Sequence, residues 1–129
     1  MDMKAVADPR SFIEDLHNRY HNDVVHGDED PATVIDRYYA PDIELVSDGV
    51  SMGRERLIKH CKPVRKSVAG GHYEVLEAVR DGNRIAARLI IHGVTQTGAT
   101  AKIEVFEFCE MTDDGKFANV TSLTRTLKD

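Results

Sequence analysis

The sequence predicts an α+β fold in which three N-terminal helices pack on the concave face of one cone-shaped, strongly curved sheet of mixed or antiparallel strands. Two observations carry this expectation. From His72 to Leu127 polar and apolar residues alternate in long runs joined by tight turns, whereas before His72 the apolar residues recur at helical spacing between prolines. Helices laid across such a sheet leave a conical hollow, and concave hollows are where small ligands bind.

The first helix opens at Asp8-Pro9, where Asp caps free amides and Pro presets the first helical dihedral, and it runs to about His26 before Gly27. Phe12, Ile13, Leu16, Tyr20 and Val24 form its inward face, while Glu14, Asp15, Asn18 and Asn22 fall elsewhere. A second, shorter helix repeats the start signal at Asp30-Pro31, turns Val34, Ile35, Tyr38 and Tyr39 inward, and ends before Pro41. Asp42 to Val46 alternates as a strand that closes at Ser47-Asp48-Gly49, and a third helix covers Arg54 to Cys61. A meander follows. Tyr73 to Arg80 turns at Asp81-Gly82 into Ile85 to Thr95, Thr97-Gly98 leads to Lys102 to Met111, and Asp113-Asp114-Gly115 leads to Phe117 to Leu127.

The 129 residues suit one domain spanning 1–129, and a hydrophobic fraction of 41% is that of an ordinary globule. A formal charge of -5 with no basic, aromatic-interleaved stripe argues against a nucleic-acid partner. The one dense basic stretch, Lys59 to Lys66, is broken by Pro63 and reads as a solvated helix end. No apolar run reaches bilayer length and the N-terminus lacks a secretory pattern, so a cytoplasmic protein without a membrane partner is expected. Cys61 and Cys109 have no Cys-x-x-Cys spacing and read as reduced, partly buried thiols. His17 and His21 lie one helical turn apart, but no acidic residue joins them as in His-Glu-x-x-His, so solvated side chains and no metal are expected. Phosphate-cradling loops and nucleophile elbows are absent from the sequence.

Four signatures span nearly the whole chain: Arg19-Tyr20 followed by Gly27-Asp28, Tyr39-Ala40-Pro41-Asp42, Gly53-Arg54-Glu55, and Asp114-Gly115-Lys116. With them the chain resembles the nuclear-transport-factor-2-like superfamily, a cystatin-like α+β roll, in its SnoaL-like and ketosteroid-isomerase-like branch. That fold hosts isomerases, cyclases, dehydratases, epoxide hydrolases and non-catalytic association modules, so function has to be argued from the site. The resemblance implies a cofactor-independent enzyme that transfers a proton beside the carbonyl of a hydrophobic, steroid- or polyketide-like molecule. A dehydratase or epoxide hydrolase in the same pocket, or a ligand-binding or dimerisation module, is the alternative.

Residue by residue, the resemblance places an oxyanion-binding tyrosine at Tyr20 and a second donor, a protonated carboxylic acid, at Glu107. The base position, eight residues after Tyr39, reads Ser47 with Asp48 beyond it, and a bulge would be needed to turn Asp48 inward. Pocket positions on the third helix fall on His60 and Cys61. Glu107 shares its strand face with Val105, Cys109 and Met111, company that suits a desolvated acid. Its alternative is a carboxylate paired with Lys or Arg across the sheet. For Tyr20 the alternative is core packing with one structural hydrogen bond, and for Asp48 a purely local turn bond. His60 and His92 are the candidate proton shuttles, although alternation groups His92 with Arg88 and Ile90 on the outward face. Tyr39, Ser47, Cys61, Leu89, Ile91, Cys109, Val120 and Ser122 are the expected substrate lining. A homodimer through the outer sheet face, around Ile90, Val94, Phe106 and Phe108, completes the expectation.

Overall fold

In the computed structural model, which describes residues 2–128, a 3-10 turn (Met3–Ala5) precedes helices α1 (Pro9–Val25) and α2 (Pro31–Tyr38). Strands β1 (Tyr39–Ser47) and β2 (Val50–Met52) lead to α3 (Arg54–Ser67), and the meander follows as β3 (Val68–Asp81), β4 (Arg84–Thr95), β5 (Thr100–Met111) and β6 (Phe117–Leu127). The six strands form one mixed sheet in the order β2-β1-β6-β5-β4-β3, antiparallel except where β1 runs parallel to β6. The pairing is irregular between Val75 and Glu77 in β3 and between Tyr39 and Glu44 in β1, and bulges of this kind bend a strand and strengthen its twist.

The Asp8 carboxylate caps α1 by accepting from the Arg10 amide at 3.0 Å, whereas Asp30 makes no side-chain cap on α2 despite the same Asp-Pro signal. α3 differs from its expected end at Cys61, continuing through Pro63 to Ser67. The extra turn carries Arg65 to the C-terminus of α1, where its Nε donates to the Val24 carbonyl at 2.8 Å. A guanidinium there meets the carbonyl-rich negative end of a helix, so part of the basic stretch serves as a C-terminal cap for α1.

α1 packs against β3 and covers the free edge of the sheet with polar side chains set four residues apart. Arg10 donates to the Val75 carbonyl at 3.1 Å, Glu14 accepts from the Val75 amide at 2.9 Å, and Asn18 both donates to the Tyr73 carbonyl and accepts from the Tyr73 amide. These bonds occupy edge groups that would otherwise invite another strand. They also fix His17 and His21, which flank Asn18 on the helix, over the sheet interior. The core beneath is built from Ile13, Val34, Ile35, Leu89, Phe117 and their neighbours.

Candidate active site in the cone

Between α1, α3 and β3 lies a cavity of about 130 Å³, lined by Tyr20, His21, His60, Cys61 and Tyr73 with valines of α1 and α3 between them. Three residues singled out in the sequence, Tyr20, His60 and Cys61, therefore meet at one site. Tyr20 meets the rings of Tyr38 and Tyr39 edge-on, at centroid distances of 5.5 and 5.4 Å. The Tyr39 hydroxyl lies beside the Tyr20 oxygen. Burial raises the pKa of both phenols, helped for Tyr20 by Cys61 and Tyr73, while burial and the charge of Glu107 push Tyr73 up to about 12. All three hold their protons at neutral pH, so the cone interior presents hydrogen-bond donors.

Glu107 is buried, as a protonated acid would be, but its environment is different from the expected one. His17 Nε2 lies 3.1 and 3.0 Å from its two carboxylate oxygens, and the Cys109 thiol donates to it at 2.9 Å. Burial works to raise its pKa, yet the charge and hydrogen bond of His17, with the Cys109 bond, together hold the carboxyl below its ordinary value. Glu107 is consequently an acceptor for His17 and not an oxyanion donor. The His17 ring is stacked on Tyr73 at 5.1 Å and packs against Phe117, so the expectation of a solvated His17 is also corrected. The signal was present in the sequence: His17 stands four residues after Ile13 and three before Tyr20, on the edge of the apolar stripe.

His21 carries the one buried side-chain nitrogen or oxygen without a hydrogen-bond partner among the described residues, its Nε2. An unsatisfied buried polar atom costs about 1–3 kcal/mol. Burial lowers the His21 pKa, and the neighbouring His26 and His72 lower it further, so the imidazole is neutral at pH 7. Tyr73 lies against it, with ring centroids 5.6 Å apart. Its expected solvated state is thus replaced by a place in the cavity wall.

The remaining expected residues divide clearly. Asp48 does not turn inward: it sits exposed at φ 51°, and its carboxylate accepts from the Thr124 amide at 2.8 Å and the Thr124 hydroxyl at 2.5 Å. Those bonds hold its pKa below the usual range, so it serves the turn. Ser47 and Ser122 face one another with hydroxyls 3.1 Å apart, in the same cross-strand row as Glu107. Leu89, Cys109 and Val120 are packed in the core and Ile91 rests against it, whereas Cys61 lines the cavity and donates to the Leu57 carbonyl. His60 sits at the exposed rim. His92 faces outward, stacked on His72 and bonded to Glu74 at 3.0 Å.

The cavity is roughly the size of an engineered core cavity of about 150 Å³ that admits benzene, and lies below the about 300–1,000 Å³ of pockets for drug-sized ligands. Larger hollows of about 510 and 360 Å³ lie outside the sheet around Phe106 and Phe108, away from the buried phenols and imidazoles. Among the described residues no group of three or more His, Cys, Asp or Glu is arranged to hold a metal ion, and no helix is long and apolar enough to cross a membrane.

A SnoaL-like domain model matches residues 18–120. An uncharacterized protein of Schizosaccharomyces pombe, C11D3.04c, is 26% identical over 91 residues, covering 70% of this chain and 69% of that protein. Among solved structures, a candidate isomerase from Rhodopseudomonas palustris superposes with a TM-score of 0.67 at 12% identity, covering 83% of this chain and 84% of its own. IdmH, a candidate polyketide cyclase from Streptomyces antibioticus, gives 0.64 at 16% identity, covering 90% and 91%. At these identities the structural likeness speaks for the fold.

Proposed function

The chain belongs to the SnoaL-like domain family, and from that premise we propose that it binds a small hydrophobic carbonyl compound in the cone and moves a proton on the carbon beside the carbonyl, as a cofactor-independent isomerase- or cyclase-type enzyme. The observation that carries this reading is the desolvated Tyr20 hydroxyl in the cavity wall, with Tyr39 beside it. Shifting a double bond or closing a ring next to a carbonyl requires the developing enolate oxygen to be held while carbon loses a proton. A phenol that stays protonated in a site poor in water is suited to hold it, because its hydrogen bond is less screened there than in solution. Glu107 supports this site indirectly, by fixing His17 against Tyr73. The 130 Å³ cavity favours a substrate about one ring in size over a steroid or fused polyketide. Structural neighbours that are a candidate isomerase and a candidate polyketide cyclase lend support.

Deuterium exchange tests the reading without knowledge of the product. Incubated with single-ring enones in heavy water, the protein is expected to wash deuterium into the position next to the carbonyl, as followed by proton NMR. Ligand binding without exchange would favour the second reading, capture without turnover, which the serine at the usual base position supports.

We further propose that the outer sheet face joins two copies. Ile90 is covered within the chain, but Phe106, Phe108, Val79 and Leu123 remain exposed around Glu104, whose buried carboxylate is bonded by Arg88 and Arg125. An apolar patch of this kind is seldom left wet. Sedimentation is expected to give a dimer, and Phe108→Asp a monomer with unchanged circular dichroism. A wild-type monomer at micromolar concentration would contradict the assembly.

A further inference from the structure

Resting on that reading of the cone, we propose that Tyr73, backed by His17, is the specificity-determining residue that limits the bound molecule to about one ring. The Tyr73 side chain is part of the cavity wall, and the His17 ring stacks on it at 5.1 Å with the two planes 13° apart. His17 is not in that wall, so it stands on the far side of Tyr73. From there a file of rings continues through the cone: His17 meets Phe117, Phe117 meets Tyr39 and Tyr39 meets Tyr20, each at a centroid distance of 5.4 Å. Phe117, Tyr39 and Glu107 are likewise outside the cavity wall. Aromatic side chains thus fill the cone beyond Tyr73, and the cavity is the space left in front of it.

A wall limits size only if it does not yield. Asn18 holds both backbone groups of Tyr73, accepting from its amide at 2.7 Å and donating to its carbonyl at 2.9 Å. His17 is held in turn by the two Glu107 carboxylate oxygens, 3.1 and 3.0 Å from its Nε2, and Glu107 also accepts from the Cys109 thiol. Tyr73 therefore has a fixed backbone and a pinned imidazole behind its ring, and a close-packed interior resists an added group instead of swelling to take it. The other apolar lining residues, Val24, Val25 and Val64, are too small for their trimming to release the space of a second ring.

The test is calorimetric titration of the whole protein with phenol and with 2-naphthol, as wild type, Tyr73→Phe and Tyr73→Leu. Wild type and Tyr73→Phe, which keeps the ring, are expected to bind phenol about tenfold or more tightly than 2-naphthol. Tyr73→Leu gives back about the space by which 2-naphthol exceeds phenol, and is expected to bind 2-naphthol at least as tightly as phenol. A general loosening of the fold would weaken both ligands together, whereas removal of the limiting wall moves them in opposite directions. The wild-type and Tyr73→Phe ratios are read whether or not Tyr73→Leu folds. Wild-type protein that binds the two ligands equally, or a folded Tyr73→Leu variant that binds phenol and still rejects 2-naphthol, overturns the assignment alone. Wild-type protein that binds neither overturns the reading of the cone and this assignment with it.

Discussion

Replacing His17 with leucine is expected to destabilise the fold by about 3–5 kcal/mol, the largest effect of any single side-chain change proposed for this chain. The reason is the partner left behind. Glu107 has a side-chain exposure of 4%, and without His17 its carboxylate keeps only the Cys109 thiol as a donor. A buried hydrogen-bonded pair adds little net stability, because desolvation cancels most of the attraction, but removing His17 leaves the buried Glu107 carboxylate short of a partner. The paired variant His17→Leu/Glu107→Leu is therefore expected to recover most of the loss in urea denaturation, a non-additivity that identifies the contact. The pair also sets an acid limit. The folded pKa of Glu107 lies below its unfolded value of 4.5, so its contribution is complete above that value and is lost as pH falls through the folded one. The Glu107→Gln variant should flatten the acid side of the stability profile, and an unchanged profile would show that the carboxylate does not titrate as described.

Tyr20→Phe is expected to reduce deuterium exchange about 10²–10³-fold, the usual effect of removing one oxyanion donor, while changing stability by no more than about 1 kcal/mol. The ring stays, and with it the edge-on packing against Tyr38 and Tyr39; only the donor in the cavity wall goes. A tyrosine present merely for packing would leave both exchange and stability intact in this variant.

Much of this architecture was legible from periodicity. The helix starts at Asp8-Pro9 and Asp30-Pro31, the four long strands and the last strand's bounds, Phe117 to Leu127, follow from spacing and turn residues. Local signals failed where tertiary contacts decide. Pro63 looked like a boundary, but Arg65 found the carbonyls of α1 and the helix continued to reach them. The short strand Val50–Met52 exists only because β1 offers it an edge.

The site divided in the same way. The family resemblance put Tyr20, His60 and Cys61 at pocket positions, and they line one cavity; strand alternation grouped His92 with the outward face. The pairing of His17 with Glu107, 90 residues apart, depends on how α1 packs against the sheet and leaves no local trace. Treating histidine as polar hid its place beside the apolar stripe. The orphaned nitrogen of His21 is a property of surroundings, which no spacing reveals.

The most direct measurement is the melting temperature of wild-type protein and Tyr20→Phe against single-ring phenols and enones. A molecule that binds only the folded state stabilises it by about 2.7 kcal/mol at a hundredfold excess over Kd. The account predicts a rise of several degrees for wild type with at least one phenol, and little or none for Tyr20→Phe. An equal rise in both proteins, or no rise in either, would contradict a ligand site built on the Tyr20 hydroxyl.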